Sequence, residues 1–361
     1  MKSKITSFII SILITGILIF IGLIMYDEIT ETSITSDVQD FISNLTISSE
    51  EDVEQDTQES EILEIESNIN YKNIKIDKYF YSQLDKYSKT IYDALEANKE
   101  NMKTGTYKIN LGTEFSSLLS QDNGEELLGN YYQSAIESYT YDNPEIFYIE
   151  FSKLYLNIET TTIGSKKTYK VFIDSGNETD YLAEGFSSKE KIDTAIQEIE
   201  KIKSYFVQNK KENTYENIKI VHDYLVESIE YDQTISKPNI YNLYGAIVNK
   251  ECVCEGYAKS FKYLMDNLGI NCVLIAGEAD NSEGNLESHA WNYVQLEGKW
   301  YAIDCTWDDP ILEGIDFLNN SFKYRYFLKG ENEFNKSHIP NGQFTEGGKI
   351  FTYPQLSNQN Y

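Results

Sequence analysis

Cysteine is scarce in this 361-residue chain: Cys252, Cys254, Cys272 and Cys305 are the four, all in its last third. That placement excludes a disulfide framework spread along the chain and says little about redox compartment. Clustered cations are missing too, with 31 Lys and Arg against 58 Asp and Glu and a net charge of −27. Phosphate binding needs a basic patch, so nucleic acid is not expected as a partner. No acidic cluster has the spacing of a calcium loop. No internal repeat is evident.

What is present is unevenly distributed. Hydrophobic residues make up 41% and aromatics 14%, enough to bury a sizeable core, and the length allows more than one domain. Residues 5–26 carry no charged side chain. As a helix this stretch would span roughly 33 Å, the thickness of a hydrocarbon core. Lys2 and Lys4 precede it and Asp27 and Glu28 follow it. The positive-inside rule then keeps residues 1–4 in the cytoplasm and exports the rest. The exit, Leu23-Ile24-Met25-Tyr26-Asp27, has no small-residue cleavage site and no lipobox cysteine. The segment therefore reads as an uncleaved transmembrane signal anchor, which makes the cell membrane the expected location.

Residues 27–70 hold 14 acidic residues and no Lys or Arg, which leaves −13 for everything else. A polar, acidic stretch without periodicity cannot bury enough apolar surface to offset chain entropy. It is expected to be a disordered linker. Residues 71–205 read as a small α+β module. Leu84, Tyr87, Ile91 and Leu95 recur at helical spacing, as do Leu128, Tyr131, Tyr132, Ala135, Ile136 and Tyr139. Residues 145–159 and 167–173 predict strands around a turn at Gly164-Ser165. Ser187 with Glu190 predicts a capping box before the face Ile192, Ile196, Ile199, Ile202, Phe206. Residues 213–230 predict another helix, in which His222-Asp223 reads as a structural pair.

The chemistry concentrates in residues 241–310. Cys254 falls at the first turn of a predicted helix ended by Gly269. Free backbone N–H groups and the helix dipole there favour thiolate over thiol, and can stabilise an oxyanion. His289 lies on one predicted strand (288–294) and Asp304 ends the next (300–304), with Glu297-Gly298-Lys299 as the turn. A hairpin of this kind sets a carboxylate beside an imidazole, which it can orient and support as a cation. The C-x-C spacing of Cys252 and Cys254 lacks a second close ligand pair, so no metal is expected.

These residues resemble the transglutaminase-like superfamily, which includes papain-fold proteases, and the pattern suggests a bacterial, membrane-anchored member. The matching elements are Val253-Cys254-Glu255-Gly256-Tyr257-Ala258, Gly269-Ile270, His289-Ala290-Trp291, Lys299-Trp300-Tyr301 and Asp304-Cys305-Thr306-Trp307. Cys252, where a small or apolar residue is commoner, and Cys305, where proline is frequent, depart from the family pattern. The resemblance implies an α+β fold with a papain-like core, a helix packed on an antiparallel sheet, over residues 206–330, followed by a C-terminal tail (331–361). It implies Cys254 as nucleophile, His289 as base and Asp304 as its orienting carboxylate, with no cofactor. Tyr244 is the candidate second oxyanion donor, and Trp291 and Trp307 are candidates for the substrate cleft. His338, in the tail, reads as a surface or packing residue. The expected activity is acyl transfer through a thioester on peptide or glutamine carboxamide groups of cell-surface or envelope proteins. A catalytically inactive binding or scaffold module is the alternative.

Overall fold

The structure, a computed structural model, describes residues 77–280, 286–309, 322–341 and 351–361. The expected cytoplasmic stub, membrane anchor and acidic linker lie outside the described residues. Among the described residues, no helix is long and apolar enough to cross a membrane.

The first half is α+β. Helices α1 (Tyr79–Gln83) and α2 (Lys86–Asn98) lead into strand β1 (Ile109–Gly112), the short α3 (Ser116–Leu119) and the long α4 (Gly124–Asp142). Asp85 fixes the start of α2 by accepting hydrogen bonds from the amides of Tyr87 and Ser88 at 2.9 and 3.1 Å. Strands β2 (Tyr155–Ile163) and β3 (Lys166–Asp174) form a hairpin, and the sheet order is β1-β3-β2. The expected strand over 145–159 begins only at Tyr155. Ile146, Phe147, Tyr148 and Ile149 are all buried, a continuous apolar run with no alternation. The run meets the segment at Tyr181 to Ala183 in an isolated bridge at Ile149, with the Ala183 amide donating to the Tyr148 carbonyl and the Glu150 amide to the Tyr181 carbonyl, instead of joining a sheet. Such a run has no period by which to assign it. Helix α5 (Lys189–Gln208) starts one residue later than the predicted box: Ser188 is the cap, accepting from the Lys191 amide at 3.4 Å.

The second half begins with α6 (Thr214–Ser228), capped by Asn213, whose side chain accepts from the Tyr215 amide. Strands β4 (Glu230–Tyr231) and β5 (Glu251–Cys252) pair in parallel and deliver the chain into α7 (Cys254–Asn267). Gly269 stops α7 at φ +70°, a left-handed conformation that costs glycine little. A four-stranded antiparallel sheet follows: β6 (Cys272–Asp280), β7 (Leu286–Leu296), β8 (Lys299–Ile303) and β9 (His338–Pro340), in the order β8-β7-β6-β9. Glu297 and Gly298, both at positive φ, make the tight turn between β7 and β8. Helix α8 (Glu331–Phe334) precedes β9.

The C-terminal part is not the irregular tail expected. Strand β9 pairs with β6 through Ala279↔His338, Glu278↔Ile339 and Gly277↔Pro340. Phe351 and Leu356 are buried as well. A three-residue strand has no alternation to read in the sequence, which is why it goes unseen there. Helix α7 lies across β6 and β7, and the Asn292 side chain donates to the Ala258 carbonyl at 3.0 Å. One apolar cluster runs from Phe80 through α4, α5, α6 and α7 to the second sheet.

Candidate active site

Cys254 is the first residue of α7, and Val253 before it is extended. Its amide is among those that a helix start leaves without an intrahelical acceptor. Gly256 is what lets the helix begin so close to β5. A Cβ there would sit 2.5 Å from Cys252 Cβ, 2.8 Å from its Sγ and 2.8 Å from the Ile240 carbonyl oxygen. Cys254 is half-buried, whereas Cys252, Cys272 and Cys305 are buried. Burial pushes the thiols of those three up, disfavouring their thiolates.

His289 projects from β7, and its Nε2 lies 2.8 Å from Asp304 Oδ2. The Cys254 thiol is within hydrogen-bonding reach of the same imidazole. With Nε2 on the carboxylate, Nδ1 is the nitrogen left to serve the sulfur. Burial alone would push the ring down, but the Asp304 charge and hydrogen bond, aided by Cys254, outweigh it and raise His289 to about 10. The imidazole is therefore held as a cation at neutral pH.

Asp304 follows β8 directly and is fully buried. Its Oδ1 accepts from the amides of Thr306 and Trp307 at 2.9 and 3.2 Å. Burial favours the neutral acid, but His289 and then His338, by charge and hydrogen bond, hold the carboxyl well below its usual range. The loop after it is tied down from two sides. The Tyr257 hydroxyl of α7 donates to Asp309 Oδ2 at 2.7 Å. The buried His222 of α6 bridges Asp223 Oδ1 and Asp308 Oδ2, each at 3.1 Å. His222-Asp223 thus acts as the structural pair that the sequence suggests.

The two tryptophans frame the imidazole. Trp307 stacks on His289 at 4.9 Å between centroids and Trp291 at 6.0 Å. Trp291 is 1% exposed, so it backs the site from within the core. Tyr244 does not join them. Its ring stacks on Phe147 and meets Phe186 edge-on, over against α5. Those two aromatics are both from the first half of the chain.

Three residues of the site escape sequence reasoning. Tyr141, at the end of α4, packs on the small cluster of Ala258, Leu274 and Ala290, against which Cys254 also packs. Tyr231, on the two-residue β4, has its phenol raised by burial and then by the proximity of Cys254 and Glu287. His338, on β9, is fully buried and lies 3.1 Å from Asp304 Oδ2 through its Nε2. Tyr231 lies 23 residues before the nucleophile and His338 lies 34 beyond Asp304, at no spacing that a motif would mark.

Among the described residues, the group whose donor atoms come close enough to share a metal ion is His289, Asp304 and His338, all within 4.8 Å. Both imidazoles aim Nε2 at one carboxylate oxygen, at 2.8 and 3.1 Å. These are hydrogen-bond separations, so each ring keeps a proton there. A metal would have to displace both protons and break the His289–Asp304 bond.

A sulfur at a helix start, an imidazole on one strand and a carboxylate just past the next define a candidate site of the papain-like, cysteine-nucleophile class. Residues 200–305 match the model of the transglutaminase-like superfamily. It is 27% identical over 142 residues to the kyphoscoliosis peptidase of Homo sapiens and 26% identical to that of Mus musculus. Each match covers 36% of this chain and 21% of the relative, so the chain spans about a fifth of the length of these relatives. A solved structure of a TGase superposes with a TM-score of 0.28 at 18% identity, covering 43% of this chain and 46% of the other.

Proposed function

We propose that the chain is a membrane-anchored, extracytoplasmic cysteine enzyme that transfers acyl groups from peptide or glutamine carboxamide carbonyls through a thioester. The observation that carries this is the relay itself: Cys254 at a helix start, in reach of an imidazole held cationic by a buried carboxylate. Cys254 Sγ attacks the carbonyl carbon. A C–S bond forms and an electron pair moves onto oxygen, where amides at the start of α7 can support it. The pair returns, the C–N bond breaks, and His289 gives its Nδ1 proton to the departing amine or ammonia. Water or an amine then attacks the thioester carbonyl while His289 takes up its proton; the C–S bond breaks and the Cys254 thiolate leaves, facing the His289 cation again. We favour water, which makes the protein a peptidase or amidase acting on surface or envelope proteins. The extracytoplasmic placement is supported by the uncharged run 5–26 with Lys2 and Lys4 before it and acidic residues after it.

Alkylation tests the reading. At neutral pH, iodoacetamide is expected to modify Cys254 at least about ten-fold faster than Cys252, Cys272 or Cys305, because reactivity follows thiolate access. The Cys254→Ala protein should lose all thioester trapping from envelope extract. Equally slow modification of all four thiols would leave a non-catalytic module.

A further inference from the structure

One buried titratable group near the site has no part in the relay just described. His338 is 0% exposed, and its Nε2 meets the same Asp304 oxygen that His289 uses. We infer that His338 is a positioning residue: as an Nε2–H donor it shares Asp304 Oδ2 with His289 and thereby sets the strength of the His289–Asp304 hydrogen bond. The inference rests on the proposed cysteine chemistry, since it concerns how His289 is tuned for it.

The tautomer follows from the partners. Asp304 is ionised and can only accept, so His338 Nε2 must carry a proton. Its Nδ1 lies 2.9 Å from the Ser337 hydroxyl, which can donate to it. Burial is the largest influence on His338 and lowers it; the Asp304 hydrogen bond and charge and the Phe334 backbone raise it by less than burial and the His289 charge together lower it, which favours the neutral ring. The ring cannot swing aside. Phe334 stacks on it at 4.0 Å between centroids, and Trp307, Trp291 and Tyr326 close the other sides at 4.7, 5.0 and 5.1 Å. Among the described residues, the titratable groups facing this pair are Cys254 on His289, Tyr326 on His338, and Asp308 and Cys305 beside Asp304.

A second donor on one oxygen draws electron density from the first bond. Removing it should let Asp304 hold the His289 cation more tightly, making that ring a poorer acid towards the leaving group. A histidine that merely fills an aromatic box would have no such effect.

The chain has three histidines, so ring nitrogen NMR can follow each on the full-length protein. In the unsubstituted protein His338 is expected neutral at pH 7 with its proton on Nε2. In His338→Phe, which keeps the aromatic packing, the His289 titration midpoint should rise by about one pH unit. His338→Gln, which restores a donor near the Nε2 position, should bring it back. Iodoacetamide labelling of Cys254 is measured on the same samples, so failure of the cysteine chemistry shows itself separately. A proton on Nδ1, a charged His338 at pH 7, or a His289 midpoint unmoved or lowered in His338→Phe would overturn the inference. So would uptake of one zinc ion that perturbs both His289 and His338. The tautomer measurement decides the matter alone should His338→Phe not fold.

Discussion

Asp304 receives hydrogen bonds from four donors, the rings of His289 and His338 and the amides of Thr306 and Trp307. At the residue scale this arrangement turns a strand end into a fixed charge. His289 stands above the ordinary imidazole value, so the stabilisation it gains from its partners is full below about pH 6.5. That contribution is lost as the pH climbs through about 10. The sign for Asp304 is opposite: its pull is present above the ordinary carboxylate value and lost as the pH falls. A leaving amine needs the His289 proton, so acylation of Cys254 by an amide substrate should decline as pH rises through about 10. A rate that keeps climbing past that point would contradict the assignment.

At the scale of the element, the start of α7 is set by a glycine that leaves room for Cys252. Gly256→Val should push the helix away from β5 and cost about 2 kcal/mol of stability, read from urea unfolding. It should also slow Cys254 modification, because the sulfur moves from the imidazole. Unchanged stability would mean that the neighbours yield more easily than their distances suggest. The sequence announces this part of the site plainly. The α7 apolar face, the Gly269 stop and the Glu297-Gly298 turn each carry local chemistry, and the triad sits at their ends. Strands β4 and β9 carry no such signal, being two and three residues long. Tyr231 and His338 are brought in by pairing with distant strands, which no local pattern encodes. The stretch at Ile146 to Ile149 misleads for the related reason that a fully buried run has no polar face.

At the scale of the whole molecule, the first-half helices and the second sheet share one apolar core. The expected consequence is a single cooperative unfolding transition, in which far-ultraviolet dichroism and tryptophan fluorescence coincide. Trp291, Trp300 and Trp307 all lie in or just after the second sheet, so fluorescence reports that part while dichroism reports the whole. Separated midpoints would show that residues 77–205 melt on their own. The sequence suggests a division near residue 206, yet helix α5, Lys189–Gln208, packs on α7 from across it. Shared packing of this sort is a property of the assembled chain and has no trace in composition. The bonds at Asp304 have one more consequence, legible in heavy water. The amide protons of Thr306 and Trp307 are locked indoors against the carboxylate, so in deuterium oxide they should outlast those of the nearby loops, and their eventual replacement would clock how often the packing around Asp304 comes apart.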